Sequence, residues 1–249
     1  MAAGERADRA LVARGLFESR AKARAAIEAG QVSCDGRLVM RPSDLIAPDA
    51  EIEARPAHPW VGRGALKLVQ ALEAWPIAVE GRLVLDVGAS TGGFTEVCLA
   101  RGAAGVVAVD VGRGQLHPRV AADPRVVLLE GVDARDLTQA LVPQAPDLIV
   151  CDVSFIGLAK ALPAALGLAR PGADLVALVK PQFEVGRDKI GKGGLVKDPA
   201  ARQGALEGVA AFLEGAGWRV RGTAESATPG GEGALEHLIW AQKEAAPPN

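Results

Sequence analysis

Tyrosine is absent from this chain of 249 residues, and cysteine and histidine occur three times each. Any stacking on a nucleobase therefore falls to a few Phe, Trp and His side chains. Cys34, Cys98 and Cys151 lie far apart and form no CxxC pair, which argues against structural zinc or a disulfide framework. No apolar run reaches membrane-spanning length, and "MAAGERADRALVARG" carries charges where a signal peptide needs its apolar segment. A cytoplasmic location with no membrane partner is expected. An excess of positive charge is lacking too: the net charge is −2, so contact with RNA must come from local clusters. What is present is apolar material, 49% of residues, enough for a sizeable core in one large domain or a medium domain with a small partner.

Residues 1–55 read as a compact α+β unit. "RADRALVARG" predicts a short helix closed by Gly15, and "ESRAKARAAIEAG" a second, capped by Ser19 and ended by Gly30. "QVSCDGRLV" predicts two strands around an Asp35-Gly36 turn, and "DAEIEA" a last strand. Positive charge gathers on the helices, at Arg6, Arg9, Arg14, Arg20, Lys22 and Arg24. Arg20 and Arg24 share a helical face, which suits RNA but equally an ordinary solvated surface. Residues 56–64, with prolines and glycines, read as a linker, and 65–243 as a second domain. There "RLVLDVG", "GVVAVDVG", "RVVLLEG", "DLIVCDV" and "DLVALVK" are unbroken apolar runs, several separated by helix-compatible stretches. That grammar predicts a doubly wound, mostly parallel α/β sheet covered on both faces. "WRVRGTAES" and "ALEHLIWAQK" should add an antiparallel hairpin at its edge, and "KEAAPPN" a frayed tail.

"LDVGASTGGFTE" places a glycine-rich turn after the first strand of this sheet. It lacks the lysine of a P-loop and the GxGxxG spacing of a dinucleotide site. Asp86, two residues before Gly88, would repel a pyrophosphate but attract the sulfonium and ammonium of S-adenosylmethionine. Asp110 ends the second strand, placed to accept ribose hydroxyls, and Asp133 follows the third, near an adenine amino group. Three consecutive strand ends carrying acids favour a methyl donor over a scaffold whose glycines merely turn. Gly88, Ser90, Thr91, Gly92, Gly93, Phe94 and Asp152 complete the expected cofactor contacts.

Asp152 closes the fourth strand and Lys180 the fifth. A lysine ending so apolar a run needs a carboxylate, or else merely snorkels to water. Glu236, in a stretch apolar on both faces, needs a partner; His237 beside it reads as structural. Lys67, alone, would read as surface. Together Lys67, Asp152, Lys180 and Glu236 could form one polar set suited to methyl transfer to a hydroxyl, with a lysine of lowered pKa taking the proton. The sulfonium is already a good leaving group, so no metal is expected. The Asn/Asp-Pro-Pro-aromatic stretch usual in nitrogen methyltransferases is replaced by Asp152-Val-Ser-Phe155, which favours oxygen. The segment from Pro181 to Pro199 has no clear periodicity and reads as a mobile substrate loop, with Arg187, Lys189 and Lys192 available to phosphates.

These stretches, with "GRGALKL", "AVDVGRGQL", "LVKPQFEVGR" and "GKGGLVKDP", resemble the TlyA (haemolysin A) family of ribosomal RNA 2′-O-methyltransferases over residues 6 to 242. The resemblance implies an S4-type (alpha-L) RNA-binding domain followed by an FtsJ-like, Rossmann-like methyltransferase domain. It implies a Lys-Asp-Lys-Glu tetrad at Lys67, Asp152, Lys180 and Glu236, with Lys180 as base. It also implies S-adenosylmethionine as cofactor and cytidine ribose of ribosomal RNA, within ribosomal subunits, as substrate. Departures occur at Gly62-Arg63-Gly64-Ala65, where the family often has Ser-Arg-Gly-Gly before the lysine, at Asp133 for asparagine and at Arg113 for tyrosine. Three other classes make different predictions. A membrane-active haemolysin would leak liposomes, an NAD(P) oxidoreductase would bind nicotinamide, and an RNA-binding protein without methyl transfer would bind RNA and consume no methyl donor.

Overall fold

The computed structural model describes residues 4–244; the first three residues and the tail beyond Glu244 lie outside them. The chain divides between Pro59 and Trp60 into two units, each with its own core.

The first unit runs β1 (Glu5–Arg6), α1 (Ala7–Ala13), α2 (Arg20–Glu28), β2 (Val32–Cys34), β3 (Arg37–Leu38), β4 (Leu45–Ile46) and β5 (Ile52–Ala54). Ser19 caps α2, its hydroxyl accepting from the Lys22 N–H at 3.3 Å. Asp35 and Gly36 both take positive φ, the mirror-image turn that matches strand twist, and join β2 to β3. β5 pairs with the other edge of β2. The two-residue pairing of β1 with β4 was not anticipated, because strands so short carry no periodicity. Ala7, Ala10, Leu11, Ala23, Ala26, Ile27, Val32 and Ile46 fill the core. The alanines of α1 and α2 among them let the two helices approach each other closely.

The second unit runs α3 (Ala65–Ala74), β6 (Leu83–Val87), α4 (Gly93–Ala100), β7 (Gly105–Asp110), α5 (Pro118–Ala121), β8 (Val126–Glu130), β9 (Leu148–Cys151), α6 (Leu158–Ala161), α7 (Pro163–Leu168), β10 (Asp174–Val179), α8 (Pro181–Glu184), α9 (Pro199–Gly215), β11 (Trp218–Glu225) and β12 (His237–Lys243). The strands form one sheet in the order β11-β12-β10-β9-β6-β7-β8. β12 lies antiparallel between β10 and β11, and the remaining pairs are parallel. Alternation sorts the apolar runs onto two faces. Leu85, Val87, Ile149, Cys151, Leu175, Ala177 and Val179 pack with α6, α7 and α9. Val84, Leu148, Val150, Val176 and Leu178 pack with α3 and α4.

Two local readings are corrected. The segment after Lys180 is not featureless: α8 occupies Pro181–Glu184, and 3-10 turns occupy Arg187–Lys189 and Lys192–Gly194. Glu236 precedes β12 rather than lying within the strand.

Candidate active site

The chain runs β6, β7, β8 outward in one direction, then crosses back to β9 and β10, so the strand order reverses between β6 and β9. Ligands of doubly wound sheets sit outside the carboxyl ends of strands at such a point. Two cavities open there.

The smaller, about 360 Å³, is lined by Lys67, Asp152, Lys180 and Glu236 together with Ser154 and Phe155. Lys67 projects from α3 and is 6% exposed; its Nζ donates to Glu236 Oε2 at 2.5 Å. Glu236, 2% exposed, is held where a glycine leaves room: a Cβ at Gly230 would stand 2.1 Å from its Oε1. Lys180, 8% exposed at the end of β10, donates to Ser154 Oγ at 2.8 Å. Its Nζ also lies 2.6 Å from Asp152 Oδ1, an ion pair whose angle falls outside hydrogen-bond range. Two buried ammonium groups are thus each matched by a carboxylate, the condition for keeping charge inside. Four residues spread over 170 positions of sequence converge because strand ends, a helix and the β11–β12 connection meet here.

The larger cavity, about 670 Å³, shares Asp152, Ser154 and Phe155 with the smaller. Gly88, Ser90, Asp110 and Asp133 also line it, with Val109, Val132, Val153 and Ile156 as apolar walls. At Gly88, φ is +84° and a Cβ would lie 2.9 Å from the Asp152 carbonyl, so only glycine fits without strain. Asp110 accepts the Ser90 N–H at 2.8 Å and the Gly112 N–H at 2.7 Å, fixing the turn over the cavity floor. Asp133 forms an ion pair with Arg135 at 2.6 Å, and Arg135 guanidinium bonding holds its carboxyl down at about 2.

The FtsJ-like methyltransferase family matches residues 60–243, and the S4 domain matches residues 5–52. The 16S/23S rRNA (cytidine-2′-O)-methyltransferase TlyA of Mycobacterium tuberculosis is 48% identical, over 96% of this chain and 90% of that protein. A solved structure of a hemolysin candidate from Streptococcus thermophilus, 38% identical, superposes with a TM-score of 0.77 over 99% of this chain and 91% of its own. The chain belongs to the TlyA family. At 14% identity, a candidate S-adenosylmethionine-dependent methyltransferase from Listeria monocytogenes shares the fold alone, with a TM-score of 0.56 over 73% of this chain and 98% of its own.

Within this TlyA-family fold not every residue singled out from the sequence lines these two cavities. Gly88, Ser90, Asp110, Asp133 and Asp152 do; Asp86, Thr91, Gly92, Gly93 and Phe94 do not. Phe94 packs into the core with α3, and Gly92 and Gly93 begin α4. Asp86 lies fully buried, accepting the Thr95 hydroxyl at 2.6 Å, with its Oδ1 unpartnered. The basic residues of the first unit are engaged with neighbouring groups. Arg6, Arg20 and Arg24 do not stand as independent cations: all three converge on Asp8, which is wholly buried, at 3.1, 2.7 and 3.5 Å. Lys22 pairs with Glu18 at 2.5 Å, and Arg14 donates to the carbonyls of Ala47, Pro48 and Ala50. Arg9, Arg187, Lys189 and Lys192 are exposed. Among the described residues no helix is long and apolar enough to cross a membrane.

One residue passed over as a candidate contact stands out. Phe155 is 91% exposed at φ +67°, a conformation costly for a bulky side chain, and it lines both cavities. Its ring meets Phe183 with centroids 5.3 Å apart. The available signal was an aromatic three residues beyond the acidic strand end at Asp152, where solvent rather than core was expected.

Proposed function

We propose that this protein is an S-adenosylmethionine-dependent methyltransferase acting on the 2′-hydroxyl of a cytidine in ribosomal RNA. The observation that carries the reading is the joining of two cavities through Asp152, Ser154 and Phe155, with a paired Lys-Asp-Lys-Glu set in the smaller. The larger cavity fits the donor by chemistry. Carboxylates at the ends of β7 and β9 suit hydroxyls and positive charge, and the valine and isoleucine walls suit an adenine ring. The orphaned, buried Asp86 oxygen suits a nearby cation. When bound there, S-adenosylmethionine supplies a methyl group on a cationic sulfonium.

The chain's own residues then do the rest. Phe155 offers its face to the base of the acceptor nucleotide, and such stacking is worth about 1–3 kcal/mol per base. Once Lys180 has given up its own proton, its Nζ, which Asp152 and Ser154 hold in place, accepts that of the 2′-hydroxyl. Lys67, fixed by Glu236, keeps a second positive charge beside the developing alkoxide. The S4 unit and the basic 187–192 segment contact the RNA backbone. The M. tuberculosis relative's reaction and an S4 domain at residues 5–52 support the same substrate class.

The test is transfer of labelled methyl from S-adenosylmethionine to ribosomal subunits taken from a strain lacking the protein, with the product nucleotide mapped. Label on a cytidine ribose is expected. Lys180→Ala should lower turnover by roughly 10²- to 10⁴-fold while leaving RNA affinity nearly unchanged, because a base acts in the transition state. Equal loss of RNA binding would make Lys180 a phosphate contact instead.

A further inference from the structure

A third cavity, of about 200 Å³, adjoins the tetrad pocket and shares Gln182 with it. Lys197 and Arg202 line it together with Pro181, Leu195 and Leu235, and no carboxylate is among its lining side chains. The segment between Lys180 and α9 builds it. The Gly191 N–H donates to the Leu195 carbonyl at 2.9 Å, closing a turn that returns the chain to the sheet. Asp198 then caps α9, its carboxylate accepting the Ala200 N–H at 3.0 Å. Lys197 is thereby delivered, exposed, just ahead of a 17-residue helix. Partial positive charge gathers at such a helix start.

Arg202 sits in the first turns of α9. Its Nη1 donates to the carbonyls of Val196 and Lys197 at 3.1 and 2.8 Å, which fixes the plane of the guanidinium. No hydrogen bond from Nε or Nη2 to the described residues competes for its remaining donors. A preorganised guanidinium, an exposed ammonium and apolar walls match a phosphodiester with its attached sugar or base.

The pocket next door holds, on the reading above, one ribose of a continuous strand, and a strand continues through a phosphodiester on each side. We infer that this third cavity is a subsite for a nucleotide flanking the acceptor. Its phosphate rests on Arg202 and Lys197, and its sugar or base lies against Leu195 and Leu235. The inference rests on the proposed RNA substrate and adds the residues that hold the strand beyond the reacting nucleotide.

The experiment uses the full chain and labelled decacytidylate, with binding followed by fluorescence anisotropy over a range of salt. Lys197→Ala should raise Kd roughly tenfold, the size of one charge-assisted phosphate contact. It should also make the slope of log K against log salt less negative by about 0.7, the value for one single-strand phosphate. Leu235→Glu, at a partly exposed position where folding is not at stake, should weaken binding by a similar factor. S-adenosylmethionine affinity, and turnover at saturating ribosomal subunits, should stay within twofold of wild type, roughly the scatter of neutral surface changes. Unchanged Kd and salt slope in both variants would overturn the subsite, as would lost turnover at unchanged Kd. If the wild type binds decacytidylate as described but methylates neither subunit, the proposed reaction falls and the strand-binding subsite stands.

Discussion

Asp86 and Asp8 are both wholly buried carboxylates, and their surroundings drive them in opposite directions. Asp86 is pushed up to about 7 by burial, opposed by the Thr95 hydroxyl and reinforced by the carboxylate of Asp152. Asp8 is held at about 2 by hydrogen bonds from Arg6 and Arg20. The consequences for stability have opposite signs. Asp86 costs less to bury protonated than ionised, so its contribution is complete below about pH 4 and is lost as pH rises through about 7. The contribution of Asp8 is complete above about pH 4 and is lost as pH falls through about 2, outside the neutral range. The wild-type urea midpoint should therefore drift downward from pH 5 to pH 8 relative to Asp86→Asn, whose amide can still accept from Thr95. Parallel midpoints for the two proteins across that range would mean that Asp86 stays in one protonation state.

The turn between β6 and α4 carries the chemistry of the first strand, and Gly88 is where it abuts the backbone of Asp152. Gly88→Ala forces a Cβ to within 2.9 Å of the Asp152 carbonyl at a φ of +84°. The left-handed conformation alone costs an L-residue about 1–2 kcal/mol. The displaced atoms belong to the wall shared by both cavities, so affinity for S-adenosylmethionine should fall by about tenfold or more. Calorimetric titration giving wild-type affinity would show that the wall yields freely. Such turns and the strands before them were legible in the sequence because glycines and unbroken valine-leucine runs report backbone and burial directly. Lys67 was not, since a lysine in an amphipathic helix looks the same whether it faces water or a buried glutamate 169 residues away. α9 went unassigned, because its alanines and glycines blur the 3.6-residue pattern. That Arg6, Arg20 and Arg24 share a single buried aspartate was not legible either, since Asp8 is an ordinary first-turn residue by sequence.

At the scale of the molecule, a net charge of −2 gives no general attraction to RNA, so binding must be divided among local features. The division follows the cores. Residues from 7 to 50 close one hydrophobic cluster, and residues from 61 onward close two others on either face of the large sheet. A unit of some 55 residues buries little surface and is only marginally stable. Leu11 is fully buried at its centre, so Leu11→Ala should cost about 2–5 kcal/mol, enough to unfold that unit. The methyltransferase unit shares none of those core side chains and should keep its thermal transition and its affinity for S-adenosylmethionine. RNA affinity should fall, and methyl transfer to subunits with it, while the residual transfer retains the same target nucleotide. Scanning calorimetry and cofactor titration on the Leu11→Ala protein check this together. Cofactor affinity falling in step with RNA affinity would show that the two cores are one cooperative system, and the S4 unit would then be a structural part of the catalytic domain rather than its RNA handle.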